Sequence, residues 1–256
     1  MTESRLGRAT MGILILFVGV LVTSVCVGDT PAEKAKKDAN VAPAGAADKA
    51  KPDPNAEALG QIALANSLVQ YARKNKSPEA LVTAAHILGT TPTRPLDVKP
   101  TTEKDAKTPQ ATTVEKKETK PNQNEPTSLL AEAKKMSSND PHIVGIADQV
   151  ERSIGKKPRG AVGGPKVGLG KTASAYSTDV YTITFRGGEY ARVILSGDGD
   201  TDLDLYVYDQ GGHLVSRDDD YSDDCICTWV PAWTGDFTIM VKNRGPVYNR
   251  YVIGTN

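Results

Sequence analysis

The sequence predicts an α+β multidomain protein: N-terminal helical hairpins forming a small four-helix unit on disordered linkers, then a C-terminal all-β sandwich or jelly roll. Three observations carry this. Of the 14 aromatic residues all but Phe17 and Tyr71 lie from Tyr176 onward, whereas 14 of the 16 prolines lie at or before Pro165. Apolar residues recur with a helical period between residues 56 and 154, and with a period of two from residue 176. Charge divides in the same way. Residues 188–256 hold 5 Lys+Arg against 12 Asp+Glu, net −7, and the first 187 residues hold 26 against 19, net +7, beneath a neutral total. The lysines of the basic part are spread through Ala/Pro/Thr-rich tracts, so they read as solvated linker charge and not as a nucleic-acid surface.

Residues 1–28 have the order of a secretory signal: Arg5 and Arg8, an uncharged run from Met11, then small residues around Ser24 to Gly28. The expected location is periplasmic or extracellular. Because the uncharged stretch approaches the ~18 residues that a spanning helix needs, the alternative is a membrane anchor at residues 11–28. Cys26 follows Val25, with Thr23 three before it. Those neighbours do not suit a lipid-modified cysteine.

Residues 29–55 carry Ala, Lys, Pro and Asp with almost no large apolar side chain, and are expected to be a disordered leader. Residues 56–89 read as a helical hairpin, with Leu59, Ile62, Leu64, Leu68, Val69 and Tyr71 on the first helix and Leu81, Ala84, Ala85 and Leu88 on the second. Ser77-Pro78-Glu79 between them supplies an N-cap hydroxyl, a first-turn proline and an acid near the positive end of the dipole. Residues 90–126 are expected to be a disordered Thr/Lys/Pro-rich linker. Residues 127–155 repeat the helical theme, and Asp140-Pro141 starts the second helix of that pair. Ser67 to Lys74 aligns with Ser128 to Lys135, so the pairs look internally related. Two degenerate units fall below the ~3 that a repeat groove needs, which favours a plain bundle or a partner-docking element.

Residues 156–175 are expected to be a Gly-rich linker. Gly168-Leu169-Gly170-Lys171-Thr172 imitates a phosphate-binding loop, but Pro165 stands where the first glycine belongs and a strand pattern follows. Nucleotide binding is excluded. From residue 176 to 256, seven runs alternate: Val180–Phe185, Tyr190–Leu195, Leu203–Tyr208, Leu214–Arg217, Ile226–Val230, Phe237–Lys242 and Tyr248–Ile253. The expected core is Ile183, Phe185, Val193, Leu195, Leu203, Leu205, Val207, Phe237, Ile239 and Val241. Cys225 and Cys227, an i, i+2 pair, leave three states open: free buried thiols, an intermolecular bridge or a strained local bridge.

Asp202-Leu203-Asp204-Leu205-Tyr206-Val207-Tyr208-Asp209 carries a resemblance, together with Trp229-Val230-Pro231, Gly235 to Asn243, and Tyr248-Asn249-Arg250-Tyr251. Residues 175–256 resemble the bacterial pre-peptidase C-terminal domain. That resemblance implies a β-sandwich on a secreted protein, associated with secretion, surface attachment or substrate binding, in some members with calcium. The chain departs from the pattern because helices and linkers, not a peptidase domain, precede the module.

The densest chemical signal is Ser196 to Asp209, with a carboxylate at every second position from Asp198 to Asp204. Stacked carboxylates repel unless a cation, donors or water offset their charge. Asp198, Asp200 and Asp202 match the first three ligand positions of an EF-hand loop, but Leu203 replaces its turn glycine and strands flank it. The expected calcium site therefore has two halves: Asp198, Asp200 and Asp202 on one loop, and carboxylates of the Asp218 to Asp224 segment on the next, Asp218, Asp219 and Asp220 first among them. The competing reading is a set of solvated turn carboxylates. Tyr221 and Trp233 are candidate ligand-binding aromatics, for a polysaccharide or protein partner, while Trp229 is expected in the core. His86, His142 and His213 have no nucleophile motif around them, and no carboxylate pair sits in an apolar pocket pattern. The expected function is a non-catalytic, exported binding or attachment protein. Its alternatives are a scaffold acting through the helical hairpins, and an accessory domain of a secreted hydrolase system.

Overall fold

The structure, a computed structural model, describes residues 39–43, 45–46, 49–104, 124–154 and 164–256. The expected signal or anchor at 1–28, the first part of the leader, and residues 105–123 and 155–163 of the linkers lie outside the described residues. No described helix is long and apolar enough to cross a membrane.

Helices α1 (Pro54–Asn75) and α2 (Pro78–Thr90) each begin with proline in the first turn behind a capping side chain. Asp53 accepts from the Asn55 N–H at 2.8 Å, and Ser77 accepts from Ala80. Lys76, at φ 55°, ends α1 in the left-handed conformation. Strands β1 (Arg94–Pro95) and β2 (Thr101–Lys104) follow, then helices α3 (Pro126–Met136) and α4 (Pro141–Ile154). Asp140 accepts from the His142 N–H at 2.9 Å, opening α4. All four helices contribute to one apolar cluster, in which Val69, Leu81, Ala85, Leu129, Leu130 and Ile143 are buried.

Eight further strands complete two sheets: β3 (Lys166–Ala173), β4 (Ser177–Phe185), β5 (Ala191–Ser196), β6 (Leu203–Tyr208), β7 (Leu214–Asp218), β8 (Asp224–Trp229), β9 (Gly235–Asn243) and β10 (Asn249–Thr255). One sheet has the order β1-β3-β10-β5-β8 and the other β2-β4-β9-β6-β7. Apart from the parallel β1–β3 pair, neighbouring strands are antiparallel. The architecture is α+β, with a β-sandwich-like C-terminal region. All ten residues expected in the core are buried there, joined by Tyr181, Trp229, Tyr251 and Ile253. Phe185, Trp229 and Phe237 form an aromatic knot, with ring centroids 4.7 Å apart for Phe185–Trp229 and 5.3 Å for Trp229–Phe237.

The expected linkers depart from the sequence reading where they meet the sheets. Within residues 156–175, Lys166–Ala173 is strand β3, interior to its sheet between β1 and β10. Its glycines hide the alternation that marks a strand, but they serve packing. Gly170 takes φ +62° where the β3–β10 register slips between Tyr251 and Ile253, the geometry of a bulge. Within residues 90–126, β1 and β2 cap one edge of each sheet, satisfying edge hydrogen bonds that a sequence pattern does not reveal. The expected leader is also engaged at Asn40, which is fully buried. Its N–H donates to Asp209 at 2.7 Å, and its side-chain amide exchanges two hydrogen bonds with the Trp233 backbone.

The helices are likewise held to the sandwich by more than linkers. Leu59 and Ile62 of α1 pack on the outer face of the first sheet against Ile194 and Val167. This approach requires glycine at 254: a Cβ there would stand 2.6 Å from Leu59 Cδ2. Arg192 Nη1 donates to the Ala56 carbonyl at 2.8 Å, and Asn256 Nδ2 donates to Asp53 at 2.6 Å, fixing the start of the helix.

Candidate functional site

The acidic loops lie at one end of the sandwich, where β5 runs into β6 and β7 runs into β8. Register forces them together, because β5 and β8 are paired with Ser196 opposite Asp224. The Gly197 N–H donates to the Asp223 carbonyl at 2.8 Å, and the Leu203 N–H donates to the Ser222 carbonyl at 3.2 Å. Two side chains then stitch the loops. Asp223, 9% exposed, accepts from the Gly199 N–H, and Asn249, fully buried, donates to the Thr201 carbonyl and hydroxyl at 3.0 Å and to Asp223 at 3.4 Å. Sequence reasoning placed Asp223 only within the Asp218 to Asp224 half of the expected site, without a role of its own, and passed over Asn249 there. Asp223 was one letter in an acidic run, and Asn249 is remote in sequence, on the last strand.

Of the six expected metal residues, the structure brings Asp202 and Asp220 into one electrostatic neighbourhood, joined by Asp223 and Asp224. Asp220 Oδ1 also accepts from the Ser222 N–H at 2.9 Å, Asp198 adds its charge to Asp223, and Asp198, Asp218, Asp219 and Asp200 have contacts of their own. Asp198 Oδ2 accepts from the Arg250 N–H at 3.0 Å. Asp218 Oδ2 accepts from the Ile226 N–H at 2.8 Å, bracing β8. Asp219 lies 3.4 Å from Arg217, and Asp200 is exposed at the loop tip. Asp204 adds its charge to Asp202 but is neutralised on its strand: it pairs with Arg244 and accepts from Tyr206 at 3.0 Å, which is the structural role its strand position suggests.

Electrostatics sharpen the picture. Burial pushes the Asp202 carboxyl up, the Asp204, Asp220 and Asp223 charges add to the push, and Arg244 opposes it. Burial also raises Asp223, against the opposing Gly199 N–H and Asn249 amide. Burial raises Asp224, with Asp223 and Asp220 adding to it. Ser196 Oγ is near enough to offset part of that cost without meeting hydrogen-bond geometry. Asp202 Oδ1 and Asp224 Oδ1 are both buried and accept no hydrogen bond. Buried carboxylate oxygens are otherwise almost always satisfied. Among the described residues, no three His, Cys, Asp or Glu side chains stand in a ready ligand arrangement. A cation would therefore have to draw the carboxylates inward.

The aromatic candidates do not share a site. Tyr221, fully exposed, precedes β8, and Trp233, 48% exposed, follows it. Six strand residues, roughly 20 Å, separate their levels. Trp229 is in the core at 5% exposure. Cys225 and Cys227 are free and buried, their thiols turned toward the Leu203 and Leu205 carbonyls. His213 Nδ1 lies 3.1 Å from both oxygens of Asp209. Burial alone would raise the Asp209 carboxyl, but the backbone N–H groups of Asn40 and His213 and the imidazole hold it below the usual carboxylate range. Comparison with known proteins gives no matching family model and no matching curated protein.

Proposed function

We propose that this chain is an exported, non-catalytic protein whose β-sandwich is a binding or attachment module, and that it takes calcium between the β5–β6 and β7–β8 loops. The reading rests on one observation: Asp202 Oδ1 and Asp224 Oδ1 are buried and accept no hydrogen bond, with only the Ser196 hydroxyl near Asp224, beside Asp220 and Asp223. A divalent cation offsets that repulsion, and calcium accepts irregular oxygen cages more readily than magnesium does. The ligand set narrows to Asp202, Asp220 and Asp224, with Asp223 and Asn249 as the braces that hold the loops. In this reading residues 176–256 are a pre-peptidase C-terminal-like domain, residues 1–28 direct export to the periplasm or beyond, and the partner is a polysaccharide or protein on the cell surface.

Isothermal calorimetry and thermal unfolding of the full chain test this. Calcium at 100-fold over its dissociation constant should add about 2.7 kcal/mol of stability. D202N and D224N should each abolish the effect, and magnesium should give little. Absence of both heat and a calcium-dependent rise in Tm would end the metal reading.

A second reading is a scaffold in which the two helix pairs, as hairpins of one small bundle, engage a partner. It is favoured by Leu64 and Tyr71 of α1, 55% and 56% exposed and seven residues apart on one helix face. L64E/Y71E in the full chain should then prevent co-purification of that partner and leave calcium binding unchanged.

A further inference from the structure

Residues 94–104 run as a strap from the free edge of one sheet to the free edge of the other. Beside β3, the Arg94 N–H donates to Pro165 and the Leu96 N–H to Val167, both at 3.0 Å. Beside β4, the strap runs antiparallel, with Thr101 opposite Val180 and Lys104 opposite Ser177. Midway, Leu96 enters the sandwich core at 6% exposure and Val98 packs next to it. The residues of β1 and β2 themselves are exposed. One of them still reaches inward: the Thr102 hydroxyl donates at 2.6 Å to Asp179, which is 1% exposed.

The strap is thus held by edge hydrogen bonds, one buried leucine, its valine neighbour and one hydroxyl. This is how an extended peptide is recognised when it adds a strand to a sheet: the backbone ladder supplies affinity, and pockets for selected side chains supply specificity. We propose that the seam between β3 and β4 is a peptide-recognition site which the chain fills with its own residues 94–104, and which a protein partner enters by presenting an extended Leu-x-Val-x-x-x-Thr segment in their place.

Release of the strap leaves the sheets intact, since β3 keeps β10 and β4 keeps β9. Entry of a partner requires the strap to open without global unfolding, at the cost of uncovering the place of Leu96 in the core and one oxygen of Asp179. Selectivity follows from Asp179. One carboxylate oxygen is held by the Tyr251 hydroxyl at 2.7 Å, and the other by Thr102. A segment without a hydroxyl at that place strands a buried acceptor. An incoming segment with charge at the leucine position would have to bury it in the core.

The test uses the full chain and a fluorescent peptide with the sequence of residues 93–104. In L96D the chain's own strap is expelled while the seam is unaltered. Fluorescence anisotropy should show the peptide binding L96D at least about tenfold more tightly than the unaltered chain, where the tethered strap competes. A peptide carrying T102V should bind about tenfold more weakly, the effect of one unsatisfied buried acceptor. Should L96D fail to fold, hydrogen exchange of the unaltered chain decides instead: the Leu96 and Thr102–Lys104 amides should exchange at least about a hundredfold faster than those of β9. Peptide capture by neither protein, equal binding of the T102V peptide, or strap exchange only through global unfolding would each overturn the proposal. So would self-association of L96D without peptide capture.

Discussion

Tyr251→Phe removes one oxygen atom from the centre of the sandwich. Tyr251 is 1% exposed on β10 and donates across the core to Asp179 Oδ2 on β4 at 2.7 Å. Its only proton is committed to that bond, so Tyr181, 2.7 Å away, must be the donor to Tyr251. A relay results: Tyr181 to Tyr251 to Asp179, with Thr102 closing the other oxygen. Burial pushes Tyr181 up to about 12 and Tyr251 further still, so both phenols keep their protons over the whole working range. Losing a hydrogen bond to a buried charged acceptor removes about 1.5–3 kcal/mol, and stranding the Tyr181 hydroxyl adds about 1 kcal/mol, for a total near 3 kcal/mol. For a body of this size that lowers Tm by roughly 6–12 °C. Urea unfolding followed by fluorescence of Trp229, 5% exposed beside Phe185, reads the change directly. The midpoint should fall with the slope unchanged, and a cycle with D179N should return a coupling of about 1 kcal/mol or more. A loss below about 1 kcal/mol, or strict additivity with D179N, would refute the relay as a source of stability.

Leu59→Ala should destabilise the chain by about 3 kcal/mol, because the side chain is fully buried between α1 and the first sheet. Native-state hydrogen exchange should place the loss in α1 and β5, and an effect under about 1 kcal/mol would mean that the helix only rests on the sandwich. Asp224→Asn tests the acidic end by sign. A carboxyl raised in the folded state costs stability above its folded pKa and nothing below its unfolded one, so D224N should raise the urea midpoint at about pH 7 and leave it unmoved near pH 3. A shift of equal size at both values would remove charge from the explanation. Burial pushes Cys227 up to about 11 and Cys225 higher, so neither thiol should react with a disulfide reagent at about pH 8 faster than the chain unfolds. Rapid labelling of the folded protein would contradict their burial.

Much of the sandwich was legible as pattern. Every strand from β4 to β10 lies under an alternating run, because one face of each enters the core between the sheets; on β5 the other face is covered as well, by α1 at Ile194. Strand β3 was invisible for the opposite reason. Its glycines at 168 and 170 are required by neighbours and by a bulge, so they replaced the alternation that would have announced a strand. β1 and β2 were invisible because an edge strand needs only a backbone with free N–H and C=O groups, and Thr101–Lys104 is exposed at every position. Within the candidate site, the clustering of carboxylates was plain, but the choice among them was not. Asp198, Asp218 and Asp220 each accept a backbone N–H, whereas no donor bonds Asp202 Oδ1. No spacing rule encodes that.

Local chemistry alone determined the helices with their proline starts, the seven alternating strands, their apolar core and the acidic character of one end. Each of these follows from the periodicity and side-chain type of neighbouring residues. Only the tertiary structure decided that linker residues would complete both sheets, that α1 would seat on Gly254, and that Asp223 and Asn249 would bind the acidic loops together. Those outcomes depend on which backbone edges and cavities remain open once the strands have paired, and that is a property of surfaces meeting in space.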